Sequence, residues 1–88
     1  MTEQTSLIQY PCDFPVKIMG KAQPGFTQAM LMIVKTHAPD FDELTMEVGT
    51  SKNGAYLSLT CTIRARSRIQ LDTLYRALHD HPMVSMLL

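Results

Sequence analysis

The sequence lacks tryptophan, contains only two cysteines and carries no net charge. Eight Lys and Arg residues balance eight Asp and Glu residues, which argues against charge-driven binding to nucleic acid or to an anionic membrane. No apolar run approaches the roughly 18 residues that a membrane-spanning helix needs. Residues 1–11 lack a basic region followed by an apolar core, so we expect no signal peptide and a cytoplasmic protein.

Neither cysteine, Cys12 or Cys61, belongs to a CxxC pair or to a cysteine–histidine spacing that suits zinc. Cys61 lies in a run of alternating apolar residues, where a thiol usually serves as a small core side chain. Cys12 has no neighbouring histidine that would generate a reactive thiolate. The sequence therefore predicts two independent reduced thiols, no catalytic cysteine, and no metal or other cofactor.

The chain does contain enough apolar sequence for one folded domain. Of its 88 residues, 45% are hydrophobic and 18% are charged, which is typical of a folded domain rather than a disordered chain. Seven methionines indicate an adaptable core or contact surface. We expect residues 1–13 to form a partly mobile lead-in and residues 14–88 to form a single domain.

The spacing of the apolar residues predicts six elements. Two-residue alternation predicts strands over 14–20, 44–49, 56–64 and 83–88, and spacings of three and four predict helices over 24–37 and 68–78. This order is that of the ferredoxin-like α+β fold, βαββαβ, in which a four-stranded antiparallel sheet carries both helices on one face. The first and third strands should lie at the centre of the sheet, with the second and fourth at its edges.

Capping and turn residues mark where these elements begin and end. Pro24 suits the first position of the first helix, where its missing N–H would be unpaired in any case. Ser67 and Gln70 match the capping box that opens a helix. Asn53-Gly54 predicts a hairpin turn, because both residues tolerate a positive φ.

Three histidines lie at the ends of the predicted helices. His37 ends the first helix, and His79 and His81 flank Asp80 just before Pro82. Cationic side chains are favoured at the C-terminus of a helix by its dipole. We therefore interpret all three as structural residues rather than as metal ligands or catalytic groups.

The segment between the first strand and the first helix is the candidate ligand-binding loop. A central strand leads here into a helix N-terminus, whose free N–H groups and dipole favour an anion. A glycine lets a ligand approach the backbone where there is no Cβ. The candidate binding residues are Gly20, Lys21, Gln23, Pro24 and Gly25. The same residues also fit an ordinary helix start that binds nothing.

The face of the sheet opposite the helices is the second candidate surface. It offers one aromatic residue, where RNA-recognition modules stack bases on two or three. Its hydroxyl-rich character suits a homodimer or a partner protein, and the edge strands could also extend the sheet across a dimer. The Arg64–Arg68 cluster fits a binding patch or a solvated corner. The candidate interaction residues are Lys17, Met19, Tyr56, Ser58, Thr60, Arg64 and Arg66.

Several fragments, in this order, resemble the YbeD-like family of small bacterial proteins of uncharacterised function. They are Tyr10-Pro11 with Phe14, Lys17-Ile18-Met19-Gly20, His37-Ala38-Pro39, Ser51-Lys52-Asn53-Gly54 with Tyr56 and Ser58, and Val84 with Met86-Leu87-Leu88. The resemblance spans roughly residues 10–88, and it departs from the family at Ser85 in Val-x-Met, which carries no charge and so weakens a charge-based role for this strand. It implies a ferredoxin-like fold similar to ACT-type regulatory domains that bind amino acids, no established reaction, and an association with lipoate metabolism.

The loop and the resemblance together predict a non-catalytic, ACT-like regulatory domain. Gln23-Pro24-Gly25-Phe26 looks like the turn with which many ACT domains open their first helix and hold an amino acid. We expect binding of a small-molecule effector or of a partner protein, with the chain acting as a homodimer. Single-stranded RNA binding by the open sheet face and a pure protein-interaction adaptor are the alternatives.

Overall fold

Four strands and two helices follow one another in the order βαββαβ over residues 9–88, the part of the chain that the computed structural model describes. The order confirms the predicted ferredoxin-like architecture. The elements are β1 (Cys12–Lys21), α1 (Phe26–His37), a 3₁₀ helix (Glu43–Thr45), β2 (Glu47–Thr50), β3 (Tyr56–Ala65), α2 (Arg68–His79) and β4 (Val84–Leu87). The expected lead-in, residues 1–13, lies mostly outside the described residues, and β1 already begins at Cys12.

The strands form one antiparallel sheet in the order β2-β3-β1-β4, so β1 and β3 are central, as predicted. The β1–β3 pairing runs without interruption from Cys12 opposite Ala65 to Lys21 opposite Tyr56. On the other side, β4 pairs with the second half of β1, and the register shifts after Met19. The long central pair therefore determines which residues share a row across the sheet.

The core lies between one face of the sheet and the two helices. Alternate residues of β1 and β3 are buried because successive side chains of a strand point to opposite faces. The helices cover this face with residues spaced three and four apart. The buried set includes Val16, Ile18, Leu59, Cys61 and Ile63 from the sheet and Phe26, Met30, Val34, Leu71, Leu74 and Leu78 from the helices. Neither helix in the described part of the chain is long and apolar enough to cross a membrane.

The second strand begins later than its apolar alternation predicts. Leu44 was expected to open this strand, but it lies in the 3₁₀ helix with 90% of its surface exposed. The carboxylate of Asp42 accepts a hydrogen bond from the Leu44 N–H at 3.0 Å, which favours a helical turn here. The strand starts only at Glu47.

The β2–β3 hairpin forms as predicted, but its turn uses only one residue with a positive φ. Gly54 has φ +76°, whereas no non-glycine residue in the described chain has a positive φ, Asn53 included. Asn53 contributes through its side chain instead, since its Oδ1 accepts a hydrogen bond from the Ala55 N–H at 3.1 Å. This local side-chain bond stabilises the turn without left-handed backbone at Asn53.

The start of each helix departs from its predicted form. The first helix begins at Phe26, two residues later than predicted, because Gly25 has φ +86°, which is outside the right-handed helical region. In the second, Ser67 Oγ caps the Gln70 N–H at 3.1 Å, as predicted. The Gln70 side chain, however, accepts from the Arg66 N–H at 2.6 Å instead of completing the capping box, and donates to the His37 carbonyl at 2.8 Å.

Gln70 therefore connects the start of α2 to the end of α1, and its removal should be costly. We expect Gln70→Ala to lower the free energy of unfolding by about 1–3 kcal/mol, because two backbone groups lose their partner. Gln28→Ala, an exposed glutamine of α1, is the matched control and should change it by less than about 0.5 kcal/mol. Urea denaturation measures both values, and equal losses in the two variants would contradict the connecting role of Gln70.

Gly20 is the point where β1, α1 and the approach to β4 come closest together. A Cβ at this position would overlap the Met83 carbonyl oxygen and the Phe26 ring. The Phe26 ring is fully buried, and Met83 directly precedes β4. Neither group can retreat without moving a helix or a strand.

A methyl group at Gly20 should therefore destabilise the whole domain. We expect Gly20→Ala to lower the free energy of unfolding by about 1–3 kcal/mol or more, since overpacking forces backbone shifts. Gly54→Asn is the control, because the position is open to solvent and asparagine tolerates a positive φ. Thermal or urea unfolding is the measurement, and a near-neutral Gly20→Ala would disprove this steric account.

Candidate functional site

The loop between β1 and α1 is short and is held at both ends. The Ala22 N–H donates to the Ala55 carbonyl at 2.9 Å, which attaches the loop to the β2–β3 hairpin. The Phe26 N–H donates to the Gln23 carbonyl at 3.2 Å and closes a turn just before the helix. The loop therefore has a defined geometry that does not depend on a ligand.

The N-terminus of α1 is open. Gly25 precedes the helix with φ +86°, no side chain caps it, and the first turn contains no acidic residue. A Cβ built at Gly25 would meet no atom within 4 Å, so the space beside it is free. The first N–H groups of a helix carry a partial positive charge and accept an anion readily. This end of α1 can therefore receive a carboxylate or another anionic group.

The five candidate binding residues do not all occupy equivalent places. Gln23, Pro24 and Gly25 are exposed in the loop that leads into α1, and Lys21 is exposed as the last residue of β1, opposite Tyr56. Gly20 is buried beneath Phe26 and the Met83 carbonyl, so it shapes the loop from below. Lys21 has no ion-pair partner within residues 9–88, and its ammonium group is available to an anion.

The open face of the sheet collects most of the residues proposed for interaction. The β1–β3 register aligns Lys17 with Thr60 and Met19 with Ser58, all on the side away from the helices. Tyr56 lies opposite Lys21 at the hairpin end of this face. Arg66 follows the end of β3 at Ala65 and is not part of the sheet face.

The basic corner is neutralised by acidic neighbours. Arg66 Nη2 lies 2.6 Å from a carboxylate oxygen of Asp40. Arg64 Nη1 lies 3.2 Å from an oxygen of Asp13, and Arg68 Nε lies 3.7 Å from an oxygen of Asp72. These exposed pairs add little stability, but each removes a free positive charge from the surface. The corner is thus a set of ion pairs rather than a basic patch.

Three further residues of the open face escaped sequence reasoning. Glu47 pairs with Thr60, Met86 pairs with Met19, and Leu88 exchanges backbone hydrogen bonds with Lys17. The alternation of Glu47 with its apolar neighbours predicted that its side chain lies on the open face, but not that Thr60 is its neighbour across the sheet. For Met86 and Leu88, the available signal was that they flank Leu87, which packs against the core, so that strand alternation places both on the opposite face.

The three histidines lie at or just after the ends of the two helices, as predicted. His81 is half-buried, and its Nδ1 accepts a hydrogen bond from the Met83 N–H at 3.1 Å. His79 is exposed and lies 3.8 Å from Asp80. Within residues 9–88, no group of three or more His, Cys, Asp or Glu side chains could hold a metal ion.

The two cysteines are free, and their environments differ. Cys61 is buried in the core, and this burial raises the pKa of its thiol from 9.0 to about 11. Cys12 is half-buried at the start of β1. Because the thiolate is the reactive form, Cys61 is a poor nucleophile.

Thiol labelling at neutral pH should distinguish the two cysteines. We expect Cys12 to react first in the native protein and Cys61 only after unfolding, with Cys12→Ala as the variant that isolates Cys61.

The thiol of Cys61 should also make folding stability depend on pH. Its contribution is fully present below pH 9.0 and is lost as the pH rises through about 11, because the unfolded thiol ionises first.

The measurement is urea denaturation of the Cys12→Ala protein from pH 8 upward, compared with the same protein carrying Cys61→Ala. The second protein should be less stable overall but should lack this part of the alkaline loss. Native-state labelling of Cys61 as fast as Cys12 would contradict its burial.

Comparison with known proteins supports both the fold and the resemblance. A family model described as "Protein of unknown function (DUF493)" matches residues 5–88. A UPF0250 protein of Nitrosomonas europaea is 75% identical over 88 residues, which is the full length of both chains. A UPF0250 protein of Bordetella pertussis is 55% identical, with 97% of this chain and 93% of that chain covered.

Two solved structures share the fold at low sequence identity. Protein HP0495 from H. pylori is similar with a TM-score of 0.74 at 18% identity, and 92% of this chain and 85% of that chain are covered. The ACT domain from the GTP pyrophosphokinase of Chlorobium tepidum has a TM-score of 0.59 at 18% identity, with 88% and 97% covered. The second likeness confirms that the fold is ACT-like, and at this identity it says nothing about a ligand.

Proposed function

This chain belongs to the DUF493 (UPF0250) family of small bacterial proteins of unknown function, and we propose that it is a non-catalytic regulatory domain that binds a small metabolite with a carboxylate group at its β1–α1 loop. The observation that carries this proposal is the uncapped N-terminus of α1. Lys21 lies at the other end of the short β1–α1 loop and has no ion-pair partner within the described residues. A metabolite with a carboxylate would face the helix N–H groups, and Lys21 would add a charge-assisted contact.

The role of each loop residue follows from its position. Gly25 leaves the space beside the helix end empty, so a ligand can approach the backbone closely. Gln23 and Pro24 are exposed on the same short loop, and the Gln23 side chain can donate to or accept from a polar ligand group. Gly20 would act indirectly, by allowing Phe26 to fix where the helix begins.

The class of ligand to test first follows from fold and chemistry together. The ACT-like fold makes free amino acids the first candidates, since ACT-type regulatory domains bind them. The association of the resembling family with lipoate metabolism adds short- and medium-chain carboxylic acids, lipoic acid among them. Both classes carry the carboxylate that the helix end favours.

RNA binding is less well supported than metabolite binding. The three arginines of the basic corner lie within ion-pair distance of Asp13, Asp40 and Asp72. The open face carries one aromatic side chain, Tyr56, in residues 9–88, too few for the usual stacking platform. If the chain is purely a protein-interaction adaptor, the β1–α1 loop needs no binding role and no metabolite should bind.

Calorimetry with amino acids and with lipoate-related carboxylic acids tests the proposal. We expect at least one acid to bind and Lys21→Gln to weaken it about fivefold or more, because a charge-assisted hydrogen bond is lost. Lys52→Gln in the hairpin loop is the matched control and should leave the affinity unchanged. Absence of heat for every acid, or equal affinity in both variants, would overturn the proposed site.

A further inference from the structure

Two neighbouring rows of the open face carry their large apolar side chains only on the side of β4 and β1. The row next to that of Lys21 and Tyr56 contains, from β4 to β2, Met86, Met19, Ser58 and Gly49. Met86 is 53% exposed, whereas Gly49 has no side chain at all. The methionine side chains are therefore longer than their neighbours in this row, and the small residues Ser58 and Gly49 leave a shallow hollow beside them, which the Ser58 hydroxyl partly fills because it lies 2.9 Å from where a Gly49 Cβ would stand.

The next row combines the same asymmetry with two opposite charges. It contains Leu88, which directly follows β4, and then Lys17, Thr60 and Glu47 on β1, β3 and β2. Leu88 is 62% exposed. Within the described residues, neither Lys17 nor Glu47 has an ion-pair partner, although both are exposed on this face. Across these two rows, the β4–β1 side is therefore apolar with one positive charge, and the β3–β2 side is polar with one negative charge.

Consider a second copy related by a two-fold axis that runs parallel to the strands, in front of the open face and midway between β1 and β3. This axis places β1 of one copy over β3 of the other and β4 over β2. Each row of one copy then faces the same row of the other. Met19 then lies over the partner's Ser58, and Met86 lies over the partner's Gly49. Lys17 of each copy comes within side-chain reach of Glu47 on the other, since facing sheets pack about 10 Å apart.

We propose that the open sheet face is the interface of a face-to-face homodimer, in which the methionines of each copy fill the Ser58–Gly49 hollow of the other and Lys17 pairs with Glu47. The interface is isologous, so each contact occurs twice. The proposal is argued separately from the metabolite site, because its contacts use Lys17, Met19, Glu47 and Met86, whereas Lys21, the last residue of β1, lies one row nearer the hairpin.

The size of the face indicates that this dimer is weak. The width of four strands, multiplied by the length of the two complementary rows and the rows beside them, gives a contact area on the order of 500 Å² on each copy. A standard interface removes about 800 Å² of accessible surface from each partner. We therefore expect reversible, concentration-dependent dimerisation in the micromolar range or weaker.

Charge reversal with rescue is the decisive experiment, measured by sedimentation velocity over a concentration series. Wild-type protein should dimerise, and K17E and E47K should each weaken dimerisation about tenfold or more, because like charges then face each other. An equal mixture of K17E and E47K should restore association as a heterodimer, since both cross-pairs become attractive. K52E, a charge reversal in the hairpin loop, should have no effect.

The apolar side is tested with a matched methionine pair. Met86→Ser should weaken dimerisation, whereas Met32→Ser should not, because Met32 is 71% exposed on α1 and far from the sheet face. Circular dichroism of each variant establishes that the fold is retained. A loss of association in both serine variants would overturn the assigned face.

Four other outcomes would also overturn the proposal. A wild-type protein that stays monomeric at the highest concentration leaves no homodimer to explain. Dimerisation that K17E and E47K do not weaken would indicate pairing through an edge strand. Failure of the mixed variants to associate would exclude the Lys17–Glu47 contact. Salt-sensitive binding of single-stranded RNA by monomeric protein, lost in K17E, would assign the face to RNA instead.

Discussion

The close approach of Phe26 and the Met83 carbonyl to Gly20 is the constraint on which the arrangement of this domain depends. β1 pairs with β3 on one side and β4 on the other, and Gly20 lies near its end. Because Gly20 has no side chain, the first residue of α1 packs directly on the strand. That contact fixes where α1 begins, and it leaves only the short Ala22–Gly25 loop to connect strand and helix. The open helix end that we propose as a ligand site is a direct consequence.

The absence of net charge acquires a different meaning once the fold is known. In the sequence it argued only against electrostatic binding partners. In the structure, the arginines of the basic corner lie beside acidic residues from β1, from the segment after α1 and from α2. The charges that remain without partners in residues 9–88 include Lys17, Lys21 and Glu47. Opposite charges are therefore paired at the basic corner and lie apart on the open sheet face.

Sequence patterns predicted the fold well wherever one face of an element is buried. The alternation gave the correct face for residues 14–19 of β1 and 56–64 of β3, because a one-residue slip would expose the core side chains. The prediction failed at Leu44, where the same alternation continues but the Asp42 carboxylate stabilises a 3₁₀ turn. It was also incomplete at Gln70, whose side chain bonds to a carbonyl in the other helix. A local pattern cannot report a partner that is distant in the chain.

The sequence by itself determined the class of fold, the order of its elements, the buried thiol at Cys61 and the loop that opens the first helix. These follow from periodicity and from capping and turn residues, which act over a few neighbouring positions. Tertiary structure decided which side chains share a row on the open face and which arginines are paired. Both depend on the register between strands and on contacts between distant segments. Periodicity assigns a residue to a face of the sheet, but only pairing assigns its neighbours across that face.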